Sequence, residues 1–107
     1  MAAYFHLKPS GTQWMFNLVA GNHEIILTSE RYTSKQSAQG GIASVQANAP
    51  VDARYARLND ATGKPYFVLK AANGEPLGKS EAYSSEAARD QGIEAVKAAA
   101  PGAPTRA

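Results

Sequence analysis

The chain has 107 residues, a length that predicts one compact domain, and its formal net charge is only +2. It contains no cysteine, so disulfide frameworks and thiolate chemistry are excluded. The N-terminus, MAAYFHLKPS, lacks the basic start and apolar core of a secretory signal. No apolar run approaches the roughly 20 residues of a membrane-spanning helix. We therefore expect a cytoplasmic protein that makes no use of a membrane.

The chain contains an internal repeat, which appears when the sequence is shifted by 51 residues against itself. Phe16–Pro50 then matches Phe67–Pro101 without a gap, and 15 of these 35 positions are identical. Two further identical pairs extend the match toward the N-terminus: Tyr4/Tyr55 and Leu7/Leu58. A unit of about 50 residues buries too little surface to be stable alone, so the two copies are expected to share one core.

These repeats define the predicted domain organisation. Residues 1–101 form a single domain built from two intertwined repeats, 4–50 and 55–101. Residues 102–107 contain Pro104 and are expected to be a flexible tail.

The first repeat is predicted to contain three strands followed by a helix. Tyr4–Lys8 begins a short strand, and the turn-forming residues that follow it end that strand. Gln13–Ala20 alternates between two faces, which is typical of a half-buried strand. After a turn, Ile25–Thr28 forms the return strand, and apolar residues at helical spacing predict a helix over about Ser34–Asn48.

The second repeat shows the same order with a clearer turn and a poorer strand. Asn73-Gly74 is a strong hairpin signal, because both residues accept positive φ, and His23 takes the place of Gly74 in the first copy. Pro76–Lys79 is a poor strand former, so we expect it to lie at a sheet edge or to pair over a shorter distance. The second helix is predicted over about Ser85–Ala99.

Candidate catalytic residues are few. His6 and His23 have no counterpart in the other repeat and no metal-ligand spacing. The carboxylates Glu24/Glu75 and Glu30/Glu81 are repeated. One interpretation is that a pair meets across a symmetry axis; the other, which we favour, is that a glutamate just before a helix interacts with the helix N-terminus. No phosphate-binding glycine loop is present. We predict no catalytic residue, no cofactor and no metal ion.

The densest identity is the motif Ser-Glu-x-Tyr-[Thr/Ser]-Ser at residues 29–34 and 80–85. One interpretation is that Tyr32 and Tyr83 contact a ligand. The other, which we favour, is structural: the motif combines a strand exit, an aromatic ring that covers the core, and a helix cap.

A second candidate surface uses the aromatic residues of the central strands. Sheets that bind single-stranded nucleic acid stack bases on exposed aromatic rings beside Lys or Arg. We expect Phe16 and Phe67 to be buried and Trp14 and Tyr66 to be partly exposed. Three lysines lie near Tyr66 in the sequence: Lys64, Lys70 and Lys79. The first repeat has no basic residue at the matching positions, which weakens the nucleic-acid interpretation.

The doubled pattern F-x-L-x-A-x-N-x-E, S-E-x-Y-[ST]-S and G-I-x-x-V-x-x-x-A-P resembles the YegP-like family of small bacterial proteins over about residues 4–101. The resemblance implies a tandem β(3)-α-β arrangement in which the repeats join one sheet and exchange their last strands. Arg54 to Leu58 would be the first exchanged strand. The family has no known function, so the resemblance implies no site residues. Pro101 and Pro104 make a second exchanged strand improbable, and Tyr4 to Lys8 is expected to compensate at that edge.

The predicted fold is therefore α+β, with two tandem β-β-β-α(-β) repeats, a single mainly antiparallel sheet, two helices on one face and pseudo-twofold symmetry. The leading functional hypothesis is a non-enzymatic, monomeric protein that binds an unidentified protein or small ligand. The alternatives are nucleic-acid binding through the open sheet face, using Trp14, Tyr66 and Lys70, and an enzyme that uses the repeated carboxylates.

Overall fold

In the computed structural model, residues 2–107 form seven β-strands, two α-helices and two short 3₁₀-helices. The strands are β1 (Tyr4–Ser10), β2 (Gln13–Val19), β3 (Ile25–Ser29), β4 (Tyr55–Asn59), β5 (Pro65–Lys70), β6 (Pro76–Lys79) and β7 (Thr105–Arg106). The α-helices are α1 (Lys35–Asn48) and α2 (Glu86–Ala99), and the 3₁₀-helices are Asp52–Arg54 and Ala100–Gly102.

All seven strands form one sheet in the order β4-β5-β6-β3-β2-β1-β7. Every neighbouring pair is antiparallel except β1 and β7, which are parallel. Both helices pack on one face of this sheet, over a core of residues from both repeats. The predicted fold class is confirmed: the protein is α+β, and its mixed sheet is mainly antiparallel.

The pseudo-twofold axis passes between β3 and β6, where the repeats meet. Thr28 pairs with Lys79, and these two residues are separated by the 51-residue period itself. The prediction that Pro76–Lys79 lies at a sheet edge is wrong, because β6 lies inside the sheet between β5 and β3. The alternative prediction of a shorter pairing is not confirmed: β6 pairs with β5 at three positions, as β3 does with β2, and two residue pairs join β6 to β3. A side chain at Gly78 would place its Cβ 2.9 Å from the Thr28 carbonyl oxygen, so glycine permits this close approach.

Each helix is held to the sheet by the tyrosine of the repeated motif. The Tyr32 ring stacks on buried Phe16 with 6.1 Å between centroids, and Tyr83 stacks on buried Phe67 at 6.4 Å. The other side of each ring lies against a helix glycine, Gly41 in α1 for Tyr32, and Gly92 in α2 for Tyr83. The repeated glycines, which are costly inside a helix, are therefore explained by tyrosine rings that occupy the space of a Cβ.

The other residues of the motif form the strand exit and the helix cap. The Ser29 hydroxyl accepts a hydrogen bond from the Phe16 amide at 2.9 Å and donates one to the Glu30 carbonyl at 2.7 Å. Ser80 makes the same two bonds in the second repeat. The Ser34 hydroxyl accepts from the Ser37 amide at the N-terminus of α1, and the Ser85 hydroxyl accepts from the Ala88 amide at the N-terminus of α2. The structural interpretation of the motif matches these contacts in both copies.

In the segments before β2 and β5, the two repeats no longer align at the offset of 51 residues. Tyr55 opposes Leu69 as Phe5 opposes Leu18, and each packs edge-on against the core phenylalanine of its repeat. Tyr55 is therefore the structural counterpart of Phe5, and the extension of the repeat through Tyr4/Tyr55 and Leu7/Leu58 is wrong by one residue. The cause is the connection between β4 and β5, which has Gly63 at φ +85°: Tyr55 and Leu69 are one residue further apart in the sequence than Phe5 and Leu18.

The C-terminus forms the second exchanged strand, contrary to the prediction from Pro101 and Pro104. Thr105 pairs with Phe5 and Arg106 with His6, so β1 is not an edge strand. The prolines are tolerated because Pro101 lies at the start of a 3₁₀-helix and Pro104 contributes only its carbonyl, which accepts from the Phe5 amide at 2.8 Å. Residues 105–106 are thus not a tail without secondary structure.

The contact between Tyr32 and Gly41 predicts a large difference between two neighbouring glycines. We expect Gly41→Ala to lower the free energy of unfolding by about 1–3 kcal/mol, because the added methyl group overlaps the Tyr32 ring. Gly40→Ala is the matched control: nothing lies within 4 Å of its Cβ position, and the substitution should add up to about 1 kcal/mol. Urea denaturation of both variants makes the measurement, and equal effects would contradict the proposed contact.

The C-terminal strand predicts that a truncation after Gly102 destabilises the protein. It removes buried Ala103, whose carbonyl accepts from Gln46 at 3.1 Å, and it leaves the Phe5 amide without its partner. We expect a loss of about 2–4 kcal/mol in the free energy of unfolding. Removal of Ala107 alone, which lies beyond β7, is the control and should have no effect. Unfolding midpoints that agree for the two truncations would show that β7 contributes nothing.

Candidate functional site: the helix-free face of the sheet

The sheet face opposite the helices carries side chains from all seven strands, and we name it the helix-free face. Its central row crosses the whole sheet: Arg106, His6, Asn17, Thr28, Lys79, Val68 and Ala56. Such a row is about 29 Å long at the usual spacing of about 4.8 Å between strands. The pseudo-twofold axis passes through its middle, so the face consists of two related halves.

The cations of the helix-free face are not used in ion pairs. Lys8, Lys70, Lys79 and Arg106 lie on this face because they alternate with core-facing residues or align with its central row. Among residues 2–107, the ion pairs instead surround α2 and the start of β4 and join Asp52, Arg57, Arg89, Asp90, Glu94 and Lys97. Within residues 2–107 these four cations are therefore in no ion pair, although Glu30, Asp60 and Glu81 line cavities together with Lys79.

Tyr66 lines a cavity of about 330 Å³ on one half of the face. The wall also includes Val68, Lys79 and Asp60. Asp60 is fixed by its own turn, since its Oδ1 accepts from the Thr62 hydroxyl at 2.7 Å and from the Thr62 and Lys64 amides at 2.9 Å. These hydrogen bonds, led by that of the Thr62 side chain, hold the pKa of Asp60 below its usual value of 3.8.

The pseudo-symmetric half contains a related cavity of about 550 Å³ without an aromatic wall. Met15 takes the place of Tyr66, and Arg31 takes the place of Ala82. Lys79 lines both cavities, because it lies on the axis. The two halves share a shape and differ in chemistry.

The structure does not bring together the residues of the predicted nucleic-acid surface. Tyr66 and Lys70 lie on the helix-free face, but the Trp14 side chain packs against the core on the helix side, with Lys35 Nζ 5.6 Å from its ring centroid. Including Trp14 in that surface was wrong. Trp14 corresponds to Pro65 and not to Tyr66, and adjacent strand residues point to opposite faces.

Tyr32 and Tyr83, the other proposed ligand contacts, serve the interior. Their rings pack between a core phenylalanine and a helix glycine. Burial raises the pKa of both phenols, with a smaller contribution from Glu30 for Tyr32 and from Glu81 for Tyr83. These contacts account for both tyrosines without a ligand.

The repeated carboxylates meet in a different combination from the one expected. Glu30 and Glu75 line one cavity of about 640 Å³ beside Tyr32. In the other half, Glu81 and Glu24 both act on the pKa of Tyr83. Each pair therefore combines a glutamate that precedes a helix in one repeat with a glutamate beside the hairpin turn of the other repeat. All four residues are exposed. Residues 2–107 contain no group of three His, Cys, Asp or Glu side chains placed to hold a metal ion.

Several residues of the helix-free face were missed from the sequence. Asp60 was detectable, since Asp-Ala-Thr-Gly is a pattern in which an aspartate accepts hydrogen bonds from its own turn. Lys8 was also detectable from its alternation with Leu7. Arg106 was not, because the two prolines before it argued against the strand that places it. Within the described residues no helix is long and apolar enough to cross a membrane.

The sequence matches the family described as "Domain of unknown function (DUF1508)" twice, at residues 10–55 and 60–106. A UPF0339 protein from Bordetella pertussis is 68% identical over 106 residues, covering 99% of this chain and 96% of the relative. The UPF0339 protein YegP from Escherichia coli K12 is 52% identical over 99 residues, covering 92% and 90%.

Two solution NMR structures share the fold. A UPF0339 protein from Shewanella oneidensis superposes with a TM-score of 0.91 at 48% identity, covering 99% of this chain and 91% of that one. The structure of yegP from E. coli, described as a protein of unknown function, gives a TM-score of 0.91 at 48% identity, covering 99% and 92%.

The hydrogen bonds of Asp60 predict an acidic titration below 3.8. A lowered folded-state pKa stabilises the fold above the unfolded pKa, and that contribution is lost as the pH falls through the folded value. We expect Thr62→Val to move the Asp60 midpoint back toward 3.8, because it removes the hydroxyl donor. The measurement is an NMR titration of the carboxyl carbon, with Thr12→Val in the opposite turn as control. A midpoint that Thr62→Val leaves unchanged would exclude this role for the hydroxyl.

Proposed function

Since the chain belongs to the UPF0339 family and carries two DUF1508 domains, we propose that it is a non-enzymatic binding protein that holds an anionic partner on its helix-free face. The family match supplies a fold and no reaction. The proposal therefore rests on the charge and shape of that face.

The observation that carries the proposal is the separation of paired and unpaired cations. Ion pairs among residues 2–107 lie around α2, whereas Lys8, Lys70, Lys79 and Arg106 lie on the helix-free face outside them. Cations spread over one face attract a polyanion, and the release of its counterions favours binding. Lys79, at the centre, lines cavities on both sides of the axis.

The distribution of apolar side chains favours a polyanion over a folded protein partner. Stable protein interfaces have an apolar centre that is contiguous. The large apolar side chains that are more than a third exposed are Ile25, Val51 and Leu58, and they lie in β3, before the first 3₁₀-helix and in β4. Ile25 lines one cavity with Lys79, and Leu58 lies opposite Tyr66 in the sheet, so large exposed apolar side chains border the cations singly.

The same proposal includes a cytoplasmic, monomeric protein. One chain already contributes both halves of the sheet, so a partner copy is not needed to complete the core. The exposed carboxylates support an enzyme less well, because Glu30 and Glu75 adjoin a tyrosine ring that is packed into the interior.

The test is the binding of short-chain inorganic polyphosphate by the full-length protein over a range of salt concentrations. We expect the logarithm of the association constant to fall with the logarithm of salt, with a slope of about −3 if four cations contact phosphates. Lys79→Glu should weaken binding by at least tenfold. Lys35→Glu, which changes the same charge on the helix side at the start of α1, is the matched control and should change binding less than twofold. Equal losses for the two variants, or no binding by the unmodified protein, would refute the proposal.

A further inference from the structure

We propose that the anionic partner is a single-stranded nucleic acid and that the Tyr66 cavity receives one of its bases. The inference rests on the proposed function, since the phosphates of the strand would use the cations of the helix-free face. It goes further in assigning a base-binding site to one half of that face and not to the other.

The size of the cavity fits one planar ring system. Its volume of about 330 Å³ is at the lower end of the range of about 300–1,000 Å³ for small-molecule sites. The half-buried Tyr66 ring provides one aromatic surface, and Val68 and Ala82 add apolar contact. Aromatic side chains stack on any base, and this stacking adds to the affinity that a positively charged groove has for a single strand.

The polar groups of the cavity are positioned to contact both the phosphate and the base of a nucleotide. Lys79 lies between the cavity and the centre of the face, where a phosphate would sit. On the wall, the Asp60 carboxylate is held by three hydrogen bonds to Oδ1, which leaves Oδ2 to accept from the base. A carboxylate accepts from the exocyclic amino group of cytosine, whereas thymine presents a carbonyl oxygen at that position. The site therefore favours cytosine over thymine.

The second half of the face extends the path of the strand without a second base site. Its cavity has Met15 and Gln13 where the first half has Tyr66 and Lys64, so the wall of this cavity offers no ring for stacking. Arg31 in its wall donates to the Ser10 hydroxyl at 2.9 Å and keeps its charge for a phosphate. Beyond it, the central row ends at Arg106, which lies 4.5 Å from the Tyr4 ring centroid. A strand that crosses the face from Tyr66 to Arg106 would meet cations on both halves.

The test compares four probes on the full-length protein at low salt: dC and dT oligonucleotides of about 12 nucleotides, an abasic oligomer of the same length, and polyphosphate. We expect the dC oligonucleotide to bind at least about fivefold more tightly than the abasic oligomer, and more tightly than dT. Tyr66→Leu should remove the advantage over the abasic oligomer, and Tyr66→Phe should keep it. Met15→Leu, at the symmetry-related position, is the control and should leave all four affinities unchanged.

The outcomes separate this inference from the proposed function. If the abasic oligomer and polyphosphate bind as tightly as dC, the face binds polyanions and the base site is refuted. If no probe binds, both proposals fail. A polyglutamate peptide that binds as tightly as dC, with no effect of Tyr66→Leu, would identify an acidic protein segment as the partner and would overturn the inference. Loss of the preference for cytosine in Asp60→Asn would support the role of the carboxylate, and retention of that preference would refute it.

Discussion

The contact between a tyrosine ring and a helix glycine determines how the helices sit on the sheet. In each repeat the ring fills the space between a core phenylalanine and the helix, so the helix backbone approaches at the position of Gly41 or Gly92. The serine two or three residues on either side closes the strand or caps the helix. Because both copies of this arrangement lie on the same face, both helices pack there and the opposite face carries no helix.

The two repeats agree where they build the interior and differ where they form the helix-free face. Lys64, Lys70 and Lys79 of the second repeat stand where the first has Gln13, Val19 and Thr28, whereas Arg31 of the first repeat stands where the second has Ala82. The stacking residue follows the same rule, since Tyr66 replaces Met15. A duplicated framework therefore presents an asymmetric surface, whose two halves differ in charge and in aromatic side chains.

Much of the fold follows from the sequence because local physical rules agree with the tertiary structure. Alternation predicted β2, Asn73-Gly74 predicted a hairpin with positive φ at Gly74, and serine caps predicted where both helices begin. The predictions failed where contacts between residues distant in the sequence determine the structure. The central place of β6 depends on Gly78 meeting the Thr28 carbonyl across the axis, and local propensity contains no information about that approach. The face of Trp14 was missed because it was compared with Tyr66, although one residue of shift reverses the face in a strand.

The C-terminal strand links the stability of the fold to the charge of the proposed surface. Ala103 is buried and the Pro104 carbonyl receives the Phe5 amide, so the segment after α2 closes the edge of the first repeat. The same pairing sets Arg106 opposite His6 and extends the central row of the helix-free face by one cation. Strand exchange thus pairs the C-terminal segment of the chain with the N-terminal strand. It also places Arg106, a residue of the second repeat, on the half of the face that the first repeat forms. A sequence change that weakened β7 would therefore affect binding through the position of Arg106 as well as through stability.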